Sequence, residues 1–233
     1  MRALAIVHQA DAGPGVFADA IRARGIELDE WNPVNGGATP DLARYDAALT
    51  FGGAMNVQDG LPSLQEERRA LSVLLNRGTP LLGVCLGAEL LAEAAGGKVR
   101  RAPAPEIGWH SVELTDAAAT DPLLGGLPRS FEAFQWHSFE FALPPGASEL
   151  ARSEARSQAF RLGDSSWGIQ FHAEVALADA ERWITDYRAD PDAIAIGLDP
   201  EVLREQTRER MDAWNGLGRA LCDRFLIVAA TRA

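Results

Sequence analysis

Short apolar runs and helix-length amphipathic stretches alternate through the first hundred residues, and few folds accept that rhythm. Residues 3–7, 26–31, 45–51 and 80–84 read as strands, the first carrying Leu4, Ile6 and Val7. Residues 17–24, 64–76 and 86–95 read as helices. The second has a stripe of Leu64, Leu71, Leu74 and Leu75, and Gly25 and Gly96-Gly97 stop the first and third. Strands separated by crossover helices pair in parallel, so an α/β fold is expected, with a mostly parallel sheet flanked by helices. From residue 100 to about 170 the chain is richer in Pro and Gly. Short strands at 111–114, 131–134, 139–143 and 158–161 suggest a small antiparallel extension of the same sheet. A strand at 167–171 leads into a helix at 175–187, and a helical tail runs over 201–230. The expected organisation is an α/β domain over residues 1–190 and a helical C-terminal extension over 191–233 packed on it.

Composition narrows the class. Hydrophobic residues make up 47% and charged residues 24%, enough for a real core and too apolar for a disordered chain. Lys plus Arg number 22 against 33 Asp plus Glu, a net charge of −11, so a phosphate backbone is repelled and no nucleic acid partner is expected. No apolar stretch approaches the ~20 residues of a membrane span, and the start of the chain lacks the pattern of a signal peptide. A cytoplasmic protein with no membrane partner is expected. Two cysteines, Cys85 and Cys222, lie outside any CxxC pattern, and in a reducing compartment each is either packing or a reactive thiol.

Cys85 stands between Gly83 and Gly87 in Gly83-Val84-Cys85-Leu86-Gly87, at the join of an apolar strand and a helix. A tight strand-to-helix turn needs glycine on either side of a strained residue and lifts that side chain above the sheet edge. The helix N-terminus favours an anion placed on it, and the N–H of Leu86 faces the place where a tetrahedral oxyanion develops. The alternative is a buried Cys in a close-packed join. A second segment, Gln170-Phe171-His172-Ala173-Glu174, puts a His at the end of a strand and a carboxylate two residues on. A Cys nucleophile needs a His to hold and return its proton, and that His needs a third group to fix its tautomer.

Together with Gly52-Gly53-Ala54-Met55 and Glu106-Ile107-Gly108-Trp109, these segments resemble the class I (triad-type) glutamine amidotransferases, whose sheet is flavodoxin-like. Among its members, stand-alone proteins similar to the glutaminase part of GMP synthase look closest. The resemblance covers roughly residues 45–175. It implies Cys85 as nucleophile, His172 as acid-base and Glu174 as orienting carboxylate, with Gly53 and Leu86 supplying the oxyanion-hole N–H groups. It also implies that the backbone of Phe134-Gln135-Trp136-His137-Ser138 meets the amino-acid end of the substrate, with Trp136 and His137 as binding residues. Two positions depart from the family pattern. Glu89 stands where a substrate-holding Gln is usual, and Phe139 replaces an acidic residue after the Trp-His pair. Glu89 is therefore a candidate reader of a cationic group on a modified substrate.

The implied activity is hydrolysis of a γ-carboxamide, glutamine or a γ-glutamyl amide, through a γ-glutamyl thioester, with release of ammonia or an amine. The partners implied are that small-molecule amide and a separate synthetase or acceptor subunit, with no cofactor. A γ-glutamyl peptide hydrolase acting alone and a non-catalytic binding protein that kept the fold are the alternatives. Gly13-Pro14-Gly15-Val16-Phe17-Ala18 matches a G-x-G-x-x-A pattern, yet it lies too far past the first strand for a dinucleotide turn. His8, His110 and His137 lack partners at zinc-ligand spacing, so no metal is expected. Cys222 reads as packing in the last helix, and the charged stretch 201–212 as a solvated face or a docking surface.

Overall fold

In the computed structural model, which describes residues 1–232, the apolar runs of the N-terminal half lie side by side. Strands β1 (Arg2–Ile6), β2 (Glu27–Trp31), β3 (Ala47–Thr50), β4 (Leu81–Val84) and β9 (Ser166–Ile169) form the parallel part, in the order β2-β1-β3-β4-β9. Beyond β9 the sheet continues antiparallel through β8 (Ser157–Leu162), β7 (Ser148–Arg152), β5 (Lys98–Leu114) and β6 (Ser130–Ala142). The result is the expected α/β architecture, a nine-stranded mixed sheet flanked by helices.

Strand alternation sorts the core onto two faces. On β1, Ala3 and Ala5 join a cluster with Phe17, Ile21, Trp214 and Phe225, while Leu4 and Ile6 join Leu71, Leu74, Leu90 and Leu91. The first face is covered by α1 (Gly15–Ala23), α4 (Leu177–Thr185) and α6 (Pro200–Ala230), and the second by α2 (Pro62–Asn76) and α3 (Leu86–Ala94). A short α5 (Pro191–Ala195), capped by the Asp190 carboxylate, joins α4 to α6. Among the described residues no helix is long and apolar enough to cross a membrane.

The antiparallel part is larger than its sequence suggested. The stretches at 131–134 and 139–143 belong to one thirteen-residue strand, β6, and the stretch at 111–114 is the end of a seventeen-residue strand, β5. Pro103 and Pro105 made the start of β5 look like loop. Their missing N–H groups fall where the β5–β6 register shifts, between Arg101 and Glu106, so the strand survives them. Strand β7 was not expected, because Ser-Glu-Leu-Ala-Arg has no β-branched or aromatic residue to mark it.

Candidate active site

The carboxyl ends of β3, β4 and β9 converge on one cleft of about 530 Å³, a volume that suits a small-molecule ligand. Cys85 stands between β4 and α3 with φ 52° and ψ −115°, the non-glycine residue that the described chain holds at positive φ. Its amide donates to the Ile169 carbonyl at 2.8 Å and its carbonyl accepts from the Glu89 N–H at 3.0 Å, so sheet and helix both grip the turn. The flanking glycines are needed for closeness. A Cβ on Gly83 would lie 2.6 Å from the Gly87 carbonyl oxygen, and one on Gly87 would overlap the Thr50 carbonyl. The strand-helix join predicted around Cys85 is therefore a strained, close-packed turn, and it raises the sulfur toward the cleft, 3.9 Å from the Trp136 carbonyl oxygen.

His172 follows β9, with its amide bonded to the Phe134 carbonyl at 2.9 Å and its carbonyl accepting from Trp214 Nε1 at 2.8 Å. Glu174 Oε1 sits 2.8 Å from His172 Nδ1, which leaves Nε2 for the Cys85 sulfur. Burial alone would push the His172 pKa down. The Glu174 carboxylate and the Cys85 sulfur outweigh it and raise the pKa to about 10, so this pairing favours the protonated imidazole. The Trp183 ring packs edge-on against the imidazole, 4.9 Å between centroids.

Gly53 and Leu86 both line the cleft beside Cys85, and a Cβ on Gly53 would come within 3.2 Å of Leu86 Cδ2. Trp136 also lines it, its indole N–H donating to Asp190 at 2.9 Å. His137 contributes to the wall, but its imidazole turns away: Nδ1 donates to the Phe139 carbonyl at 2.9 Å and Nε2 lies 3.0 Å from Glu106. Burial pushes the His137 pKa down, more than Glu106 raises it. Glu89 is buried at the cleft floor and accepts from Gln170 Nε2 at 3.1 Å. That burial raises its pKa to about 7.

Several further residues surround this group. Glu106 is held by Ser153 Oγ at 2.7 Å and Gln158 Nε2 at 2.6 Å; burial opposes its charge, but His137, Ser153 and Arg156 hold its pKa down at about 2. His8, set aside as a metal ligand, lies between Gly52 and Glu67 behind the cleft. Burial lowers its pKa, and the Glu67 carboxylate with the Gly52 and Phe51 carbonyls together raise it by more, leaving it above the usual range. The segment 186–192 forms the outer wall, where Asp192 engages Arg101 and Ser138. The Gly13–Ala18 turn serves the structure. The Val16 N–H at the start of α1 donates to the Glu174 carbonyl at 2.9 Å, and a Cβ on Gly15 would overlap that carbonyl. Among the described residues no group of three or more His, Cys, Asp or Glu side chains is arranged to hold a metal.

A family model described as glutamine amidotransferase class-I matches residues 17–186. A glutamine amidotransferase from Thermotoga maritima, solved as a crystal structure, is similar over 97% of this chain and 98% of its own, with a TM-score of 0.86 and 30% identity. One of the subunits of the glutamine-hydrolysing GMP synthase of Sulfurisphaera tokodaii is 38% identical over 137 residues, 58% of this chain and 70% of that protein. A gamma-glutamyl-L-1-hydroxyisopropylamide hydrolase from a Pseudomonas species is 31% identical over 147 residues, 59% of this chain and 50% of the hydrolase.

Proposed function

The chain belongs to the class I glutamine amidotransferase family, and on that premise we propose that it hydrolyses a γ-carboxamide, glutamine or a γ-glutamyl amide, through a thioester on Cys85. The observation that carries the proposal is the strained Cys85 turn facing an imidazole that a buried carboxylate holds at 2.8 Å. The Cys85 thiolate attacks the carboxamide carbon, and the oxyanion forms between the Gly53 and Leu86 N–H groups. His172, kept protonated by Glu174, gives its Nε2 proton to the departing nitrogen as the C–N bond breaks. Water then attacks the thioester while His172 takes its proton, releasing the carboxylic acid and the free thiolate. Glu174 stays ionised throughout and fixes the ring.

Whether the released nitrogen leaves as ammonia for a synthetase subunit or as a free amine divides two readings. The relatives include a γ-glutamyl amide hydrolase as well as a GMP synthase subunit. The free-amine reading is favoured by Glu89, a buried carboxyl where the family pattern has Gln, in a cleft with acidic Asp11 and Asp186 on its rim.

The test is release of ammonia or amine from glutamine and a panel of γ-glutamyl amides, by wild-type protein and by Cys85→Ala. Loss of all turnover in Cys85→Ala is expected, with the fold unchanged. Turnover by that variant near the wild-type level would sink the proposal. Alkylation gives a second check: Cys85 is modified at neutral pH, whereas Cys222, buried against the Phe17 carbonyl with its pKa pushed up to about 12, is not.

A further inference from the structure

The Gly52–Gly53 peptide joins two residues that have no Cβ to restrict the two torsions that turn it over. A turned-over peptide would offer a carbonyl oxygen where the proposed reaction needs a donor. Something must hold it, and the buried side chains behind it are placed to do so. His8 lies just past the end of β1, with Nδ1 3.0 Å from the Gly52 carbonyl oxygen and Nε2 2.6 Å from Glu67 Oε2. Thr50 Oγ1 donates to the other Glu67 oxygen at 2.6 Å. His8 and Glu67 are both buried, Glu67 completely.

A carbonyl oxygen only accepts, so Nδ1 carries a proton wherever the proton between Nε2 and Glu67 resides. A trans peptide is planar, with its C=O and N–H on opposite edges. Tying the Gly52 oxygen to His8 therefore turns the Gly53 N–H away from His8. The peptide is wedged between that histidine and the catalytic pair: a Cβ on Gly53 would lie 3.0 Å from His8 Cβ, and one on Gly52 would lie 3.0 Å from His172 Cε1 and 3.8 Å from Cys85 Cβ.

We infer that His8, oriented by Glu67 and Thr50, is a positioning residue that locks the Gly52–Gly53 peptide with its N–H turned into the cleft as an oxyanion donor. Its kinetic consequence rests on the hydrolytic reading above; the locking of the peptide does not. Two variants remove the Nδ1 donor in different ways. His8→Leu/Glu67→Met replaces the buried polar pair with apolar side chains, which avoids stranding a buried charge. His8→Gln leaves an N–H for Glu67 and none at the Nδ1 position. His8→Asn does the reverse and keeps a donor for Gly52.

Both donor-removing variants are expected to lose about 100-fold in kcat on the amide that wild-type protein turns over, with KM little changed. His8→Asn should recover most of that loss. Alkylation of Cys85 by iodoacetamide, which forms no oxyanion, should proceed at the wild-type rate in all three. A crystal structure of either donor-removing variant should show the Gly52–Gly53 peptide turned over or in two orientations. An unmoved peptide in both variants overturns the inference, as does a kcat close to wild type. A fall in alkylation equal to the fall in turnover also overturns it, because the defect then lies at the thiol. If wild-type protein hydrolyses no γ-carboxamide, the hydrolytic reading falls, and the crystal structures still decide whether His8 holds the peptide.

Discussion

Glu89 links stability to pH through a single buried carboxyl. In the unfolded chain it titrates near 4.5, and burial in the folded protein raises that to about 7. A raised carboxyl binds its proton more tightly when folded, so its contribution is fully present below about pH 4.5 and is lost as pH rises through about 7. The difference in pKa corresponds to a penalty on the order of 3 kcal/mol above that window. Glu89→Gln keeps an oxygen to accept from Gln170 and removes the charge. Its melting temperature is expected to exceed that of wild type at pH 8 and to converge with it near pH 4.5. A gap independent of pH would refute the burial account. The same scale explains what spacing revealed. Cys85 with its two glycines, and His172 with Glu174, are local patterns whose partners lie within a few residues. His8 and Glu67 are 59 residues apart, and Glu106 reaches Ser153 and Gln158 across 47 and 52 residues, so their pairing exists only once the sheet has formed.

Among the elements, the β4–α3 join brings Cys85, Leu86 and Glu89 to the cleft. It is tolerated because β3 passes close under α3, and Gly87 is the point of closest approach: its N–H donates to the Phe51 carbonyl at 3.1 Å while its Cα faces the Thr50 carbonyl. Gly87→Ala forces a methyl into a backbone oxygen that no side-chain rearrangement can relieve. The expected loss is about 3 kcal/mol or more, read as a fall in melting temperature, together with a Cys85 that iodoacetamide modifies more slowly. A variant with unchanged melting temperature would show that β3 and α3 separate freely. This join was legible because its glycines stand two residues to either side of the Cys. The antiparallel elements were less so. The β5 strand contains two prolines that a register shift accommodates, and that shift depends on β6, which follows fifteen or more residues later.

Across the whole molecule, α6 ties the parts together. Along its length Thr207 accepts from the Trp109 indole, Trp214 donates to the His172 carbonyl, Asn215 donates to the Val175 carbonyl at 2.8 Å, and Arg224 donates to the Leu123 and Gly125 carbonyls. The segment carrying His172 and Glu174 is thus clamped between the α1 N-terminus, through Val16, and the middle of α6. Two glycines on α6 separate this clamping from helix stability itself. A Cβ on Gly218 would overlap the Ala173 carbonyl, whereas one on Gly216 meets nothing within 4 Å. Alanine is the better helix former by up to about 1 kcal/mol, so Gly216→Ala is expected to leave the melting temperature unchanged or raise it. Gly218→Ala gains the same propensity but drives α6 away from residues 172–175. Its melting temperature should fall by several degrees and, if the proposed hydrolysis holds, its amide turnover by more than tenfold, since a 1 Å misplacement of a catalytic group costs about 100-fold. Equal behaviour of the two variants would mean that α6 stabilises the fold without positioning His172. A fall confined to Gly218→Ala would make the C-terminal helix part of the catalytic framework.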